Sequence, residues 1–160
     1  MKTSCKYCWG LSILLVAVIA TMGYMFVLRG NVIASADGRT AIILSAGERD
    51  IVLTEMRGFL EGIQTITEGL VKNDMASISA SAKTMGMANA LEVPASLLAK
   101  LPLEFKTLGF DTHKAFDNLA MEAKDMGDKQ IVLAKLSQLM LNCTNCHASY
   151  RLGSEGIAKE

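Results

Sequence analysis

From Tyr7 to Leu28 the chain carries no charged side chain over 22 residues, and that run narrows its conformation more than any other. As a helix it is about 33 Å long, enough to cross a bilayer. In lipid a single segment can satisfy its backbone N–H and C=O groups only as a helix. Lys2 and Lys6 precede the run, which predicts that the N-terminus stays in the cytoplasm. Trp9 and Tyr24 are suited to the two interfaces. A cleaved signal is the competing reading, because Ala34-Ser35-Ala36 resembles an A-x-A site. The apolar stretch exceeds the usual signal core and Arg29 follows directly, which favours an uncleaved anchor over residues 1–29.

Beyond the run, residues 37–160 carry 13 Lys/Arg and 16 Asp/Glu, a net charge of −3. That balance offers no basic footprint for nucleic acid and no charge-driven seat on an anionic membrane. Residues 30–45 show no sustained period and read as a linker. Four helices are predicted after it. The first covers about Glu48 to Lys72, with an apolar stripe of Val52, Met56, Phe59, Leu60, Ile63, Ile66 and Leu70. Asn73-Asp74 breaks it, and Asp74 can cap a second helix running to about Leu91. Residues 92–101 hold a connection with Pro94. Pro102 suits the start of a third helix ending near Met126. Gly127-Asp128 stops that helix and starts a fourth, from Lys129 to about Arg151. The expected fold is all-α, an antiparallel four-helix bundle over residues 46–152 with a short tail at 153–160.

The fourth helix ends in Cys143-Thr144-Asn145-Cys146-His147, the CxxCH spacing of a c-type haem attachment site. Residues at i, i+3 and i+4 share one helix face. Two thiols there can hold a macrocycle covalently while the histidine binds its iron. The alternative is half of a zinc site. It lacks a second ligand pair: Cys5 and Cys8 lie beyond the apolar run, and the only other histidine is His113. Covalent haem belongs to exported proteins, so the motif and the N-terminal run agree. They place the domain in the periplasm of a bacterium, anchored in the inner membrane, or soluble after cleavage near Ala36.

The segment Cys143 to Arg151 resembles the cytochrome c′ family, the class II c-type cytochromes. Those are four-helix bundles whose haem hangs from a CxxCH near the end of the last helix. An aromatic and a basic residue commonly follow the histidine, and Tyr150-Arg151 match. The resemblance covers roughly residues 46–152, specifically at the motif and by pattern elsewhere. It implies that Cys143 and Cys146 hold one haem c, that His147 is the proximal ligand, and that Arg151 places positive charge beside it. A solvated last-turn cation is the plainer role for Arg151. The membrane segment departs from the usual soluble member. Homodimers are common in the family.

In that family the first helix faces the other side of the iron, and there Met56 sits on the apolar stripe. A thioether ligand gives an electron carrier; an apolar residue leaves the iron open to NO or CO. Met56 as core filler is the competing role, because methionine packs irregular gaps. Met85, Met87, Met121 and Met140 are less well placed. Phe59 and Leu60 are candidates to line a ligand pocket. Arg49 and Arg57 are candidates to pair with propionates. His113 reads as a surface residue. No nucleophile–base pair or phosphate loop accompanies these residues, so the expectation is a non-enzymatic carrier with periplasmic or membrane-bound redox partners.

Overall fold

A computed structural model describes residues 3–125 and 127–154, with side chains from Lys6 onward. The chain is mostly helical, as expected, with a three-stranded sheet that the sequence reading did not include. Helix α1 spans Thr3–Gly23 and continues through a π-helical stretch, Tyr24–Arg29. Lys6–Arg29 is long and apolar enough to span a membrane or act as a signal, with a mean hydropathy of 2.4 and none of it buried in the body.

Residues 30–45 are no linker. Strands β1 (Val32–Ala34) and β2 (Thr40–Leu44) form an antiparallel hairpin, with Val32 opposite Ile42. The turn holds Asp37-Gly38, and Gly38 adopts φ 82°, a conformation glycine takes without strain. Ala41 to Leu44 are all buried, so the strand reads as a continuous apolar run and gives no period-two alternation.

Helix α2 (Ala46–Lys72) opens with a capping box. The Ser45 backbone N–H donates to Glu48 at 2.9 Å, and Ser45 Oγ accepts from the Glu48 N–H at 3.5 Å. It ends at Asn73 in the left-handed region, φ 57°. Asp74 then caps α3 (Met75–Thr84), accepting from Ser77 N–H at 3.0 Å. The second expected helix stops early, at Thr84, and a new turn, α4 (Met87–Ala90), begins where the Met87 N–H donates to the Asp117 carboxylate at 2.8 Å. Helix α5 (Ala95–Lys100) lies within the connection expected over residues 92–101. Helix α6 (Leu103–Asp125) follows Pro102, and α7 (Lys129–Ser149) follows Gly127 and the Asp128 cap. Met126, the expected end of α6, lies outside the described residues.

Helix α7 ends two residues short of expectation. Tyr150–Ser154 is strand β3, parallel to β2 with Thr40 opposite Tyr150. The anticipated C-terminal tail therefore starts within a strand; residues 155–160 lie outside the described set.

One core draws on α2, α3, α6 and α7: Phe59, Ile66 and Leu70 meet Ile78 and Ala82, Phe116 and Leu119, and Val132, Leu136 and Leu139. A second joins β2 to α2 and α5 through Ile42, Leu44, Val52, Leu97 and Leu101. Met56 is half-buried and packs against both. Each fully buried Leu or Ile contributes roughly 1.5–3 kcal/mol. Backbones of α2 and α3, α3 and α6, and α6 and α7 approach closely.

Candidate functional site

The gap between α2 and the end of α7 holds a cleft of about 240 Å3. Met56 lines it from α2, and Cys146 and His147 line it from α7. Its apolar wall is Val52, Leu53, Phe105 and Leu152, and its rim carries Arg39, Arg49 and Arg151. The register explains Met56: it lies one turn beyond Val52, whose side chain is fixed in the second core. None of the rival methionines lines this cleft. Met85 is buried beside Gly62, and Met121 and Met140 are exposed.

Cys143 is half-buried and, unlike Cys146, is not among the residues lining the cleft. Cys143 and Cys146 are both free thiols. Burial raises both, and the neighbouring Cys143 adds to the effect at Cys146, which reaches about 11. Both therefore stay protonated near neutral pH. Among the described residues no three His, Cys, Asp or Glu side chains converge as a metal-binding group. His147 is exposed, and its carbonyl accepts from Arg39 Nη1 at 3.3 Å.

Arg151 is not a last-turn cation, because α7 has ended. From β3 its Nη1 donates to Ser35 Oγ at 3.1 Å and to Asp37 Oδ2 at 3.4 Å. Arg39 Nη2 donates to the same Asp37 oxygen at 2.6 Å. The side-chain and backbone hydrogen bonds from Arg39, with a smaller one from Ser35, hold the Asp37 carboxyl far below its usual range. The hairpin turn thus gathers two arginines beside His147. Arg39 and Asp37 were missed as site residues; the Asp37-Gly38 dipeptide, a hairpin signal, was the clue.

Arg49 reaches the rim, whereas Arg57 points away and donates to Thr54 Oγ1 at 2.9 Å. Phe59 and Leu60 do not line the cleft. Phe59 is buried against His113 and Phe116, with ring centroids 5.2 and 5.4 Å away, and Leu60 is exposed. Tyr150 packs edge-on against Phe105 at 5.4 Å and donates to Glu104 at 3.1 Å. Burial first, and then Glu104, push its phenol up to about 12.

His113 is a correction. It is 4% exposed, not a surface residue. Nδ1 donates to the Met85 carbonyl at 2.8 Å, and Nε2 faces Glu55 Oε1 at 3.2 Å. A carbonyl only accepts, so Nδ1 carries hydrogen, and a proton on Nε2 then satisfies the carboxylate. Burial works against that charge, but Glu55 and the Met85 carbonyl outweigh it and the pKa is raised.

No family model, no curated protein and no solved structure matches the chain. The chemistry of the cleft is therefore read from its own residues: a thioether on one wall, an imidazole and a thiol on the other, and three guanidinium groups at the rim.

Proposed function

We propose that the chain is a membrane-anchored c-type cytochrome that carries single electrons in the periplasm. The observation that carries this reading is that Met56 and His147, 91 residues apart, line one cleft together with Cys146. The donors suit a haem: the Cys146 thiol, an imidazole and a soft thioether opposite line the cleft, and Cys143 lies one turn earlier on the same helix. At about 240 Å3 the cleft falls below the 300–1,000 Å3 common for ligand pockets, so seating a macrocycle requires α2 and α7 to part further.

In this reading α2, α3, α6 and α7 form an up-down-up-down bundle of the cytochrome c′ type. A bound haem c supplies a one-electron iron couple. Cys143 and Cys146 would hold it, and His147 and Met56 are the side chains that would bind its iron. Arg39, Arg49 and Arg151 pair with its carboxylates. Val52, Leu53 and Phe105 keep water from that face. The domain stays attached to the inner membrane. Cleavage near Ala36 would cut the β1–β2 hairpin and remove Val32, which packs on the second core. Its partners are then periplasmic or membrane-bound redox proteins.

A second reading rests on Met56 itself. Its packing against both cores suits a residue that fills space and leaves the iron five-coordinate, for binding NO or CO.

The test is the full chain, expressed with bacterial haem attachment and purified in detergent. It should carry one haem that survives denaturing electrophoresis and adds one haem mass to the chain. Cys143→Ser with Cys146→Ser should abolish both signals. A wild-type chain without covalent haem contradicts the proposal.

A further inference from the structure

The chain leaves its bilayer-length helix through residues built into the body, not through a free tether. At the helix end, Lys106 of α6 donates to the Val27 carbonyl at 2.8 Å and to the Phe26 carbonyl at 3.5 Å. A helix leaves its last carbonyls without partners, and a cation there is doubly favourable. Gly30 follows at φ 67°. A Cβ at this position would stand 2.5 Å from the Lys100 carbonyl oxygen and 2.6 Å from Pro102 N, so the chain passes flush against the α5–α6 corner. Asn31 then donates its N–H to the Lys100 carbonyl at 2.7 Å. Its amide Nδ2 donates to the Ile43 carbonyl at 3.0 Å, and its own carbonyl accepts from Ile43 N–H at 2.8 Å. Within two residues of Arg29 the backbone is tied to both α6 and the sheet.

The same joint lies beside the candidate site. Leu28, Pro102, Leu103 and Tyr150 line one cavity of about 360 Å3, and Tyr150 also lines the Met56–His147 cleft. Tyr150 is therefore a shared wall of the cavity at the helix end and of the cleft. Leu103, beside that end, is an exposed apolar residue. With Leu28 leaving the bilayer on the same cavity, the partner that fits this face is the phospholipid interface.

We propose that residues 24–31 form a rigid joint that seats the Leu103 face on the bilayer and holds the Met56–His147 cleft at the membrane surface in one attitude. This rests on reading α1 as a retained span, and the experiment separates the two. The full chain is placed in lipid nanodiscs, and its membranes are also extracted with alkaline carbonate. The chain should resist extraction. Amide exchange at Gly30 and Asn31 should be slowed at least about a hundredfold relative to unprotected amides. Lys106→Met, which leaves both cores intact, should speed exchange at Gly30 roughly tenfold. A gadolinium-headgroup lipid should erase the Leu103 methyl resonance. Six Gly/Ser residues inserted between Arg29 and Gly30 should restore it. Release by carbonate overturns the proposal together with the span reading. Retention with unprotected Gly30 and Asn31 overturns the joint alone. A Leu103 signal that survives the gadolinium lipid, or that only a second copy of the chain perturbs, overturns the seating.

Discussion

Single residues divide by how well local spacing reports their surroundings. The CxxCH spacing put His147 and Cys146 on one helix end, and the stripe put Met56 toward the interior. His113 was misplaced because Asp111, Thr112 and Lys114 made its neighbourhood look solvated. Its partners, Glu55 and the Met85 carbonyl, come from elements that no local pattern connects to it. Through Glu55 Oε1, 3.2 Å from Nε2, it ties α6 to α2 one residue before Met56. His113→Leu should cost about 2 kcal/mol in chemical unfolding, because the half-buried Glu55 carboxylate and the Met85 carbonyl lose their donor. Since the folded pKa is raised, this contribution is complete below the unfolded value near 6.5 and fades as pH rises through the folded one. Unfolding midpoints followed from about pH 6 to 9 should fall in wild type more than in His113→Leu. A parallel decline would deny His113 its charge.

At the scale of elements, the helices were legible and the sheet was not. Capping residues and 3.6-residue periods mark α2, α6 and α7 within a few positions. The hairpin carried its own signal, β-branched residues around Asp37-Gly38, but β2 is buried along nearly its whole length and shows no alternation. Strand β3 was hidden more deeply, since Tyr150 and Arg151 continue the pattern of α7 and the segment pairs as a strand along β2. These two misreadings concealed Arg39 and moved Arg151. The start of α2 is testable. Ser45→Ala should lower stability by about 1 kcal/mol through loss of the cap. Lys100, 2.7 Å away, and the Ser45 N–H hold the Glu48 carboxyl down at about 2. This lowered group stabilises the fold above its unfolded value of about 4.5, and its contribution disappears as pH falls toward 2. Glu48→Gln should therefore flatten the acid limb of the stability curve, and an unchanged limb would assign that limb to other carboxylates.

For the whole molecule, topology does what the sequence pattern alone could not. It brings residues near positions 39, 56, 105 and 147 around one cleft and sets that cleft beside the end of the N-terminal helix. Local periods marked the long helices, but they carried no information on which side chains of different helices would share a cleft. That Met56 of α2 and His147 of α7 line the same cleft gives the CxxCH segment a facing wall and makes Met56 decisive for the proposed function. The most direct measurement is the optical spectrum of the purified full chain, ferric and ferrous, with and without CO, beside Met56→Ala. The account predicts a low-spin wild-type spectrum with the weak sulfur-to-ferric-iron charge-transfer band and no response to CO, and a high-spin, CO-sensitive variant. A wild-type protein that is already high-spin and binds CO, or that holds no haem, would contradict it.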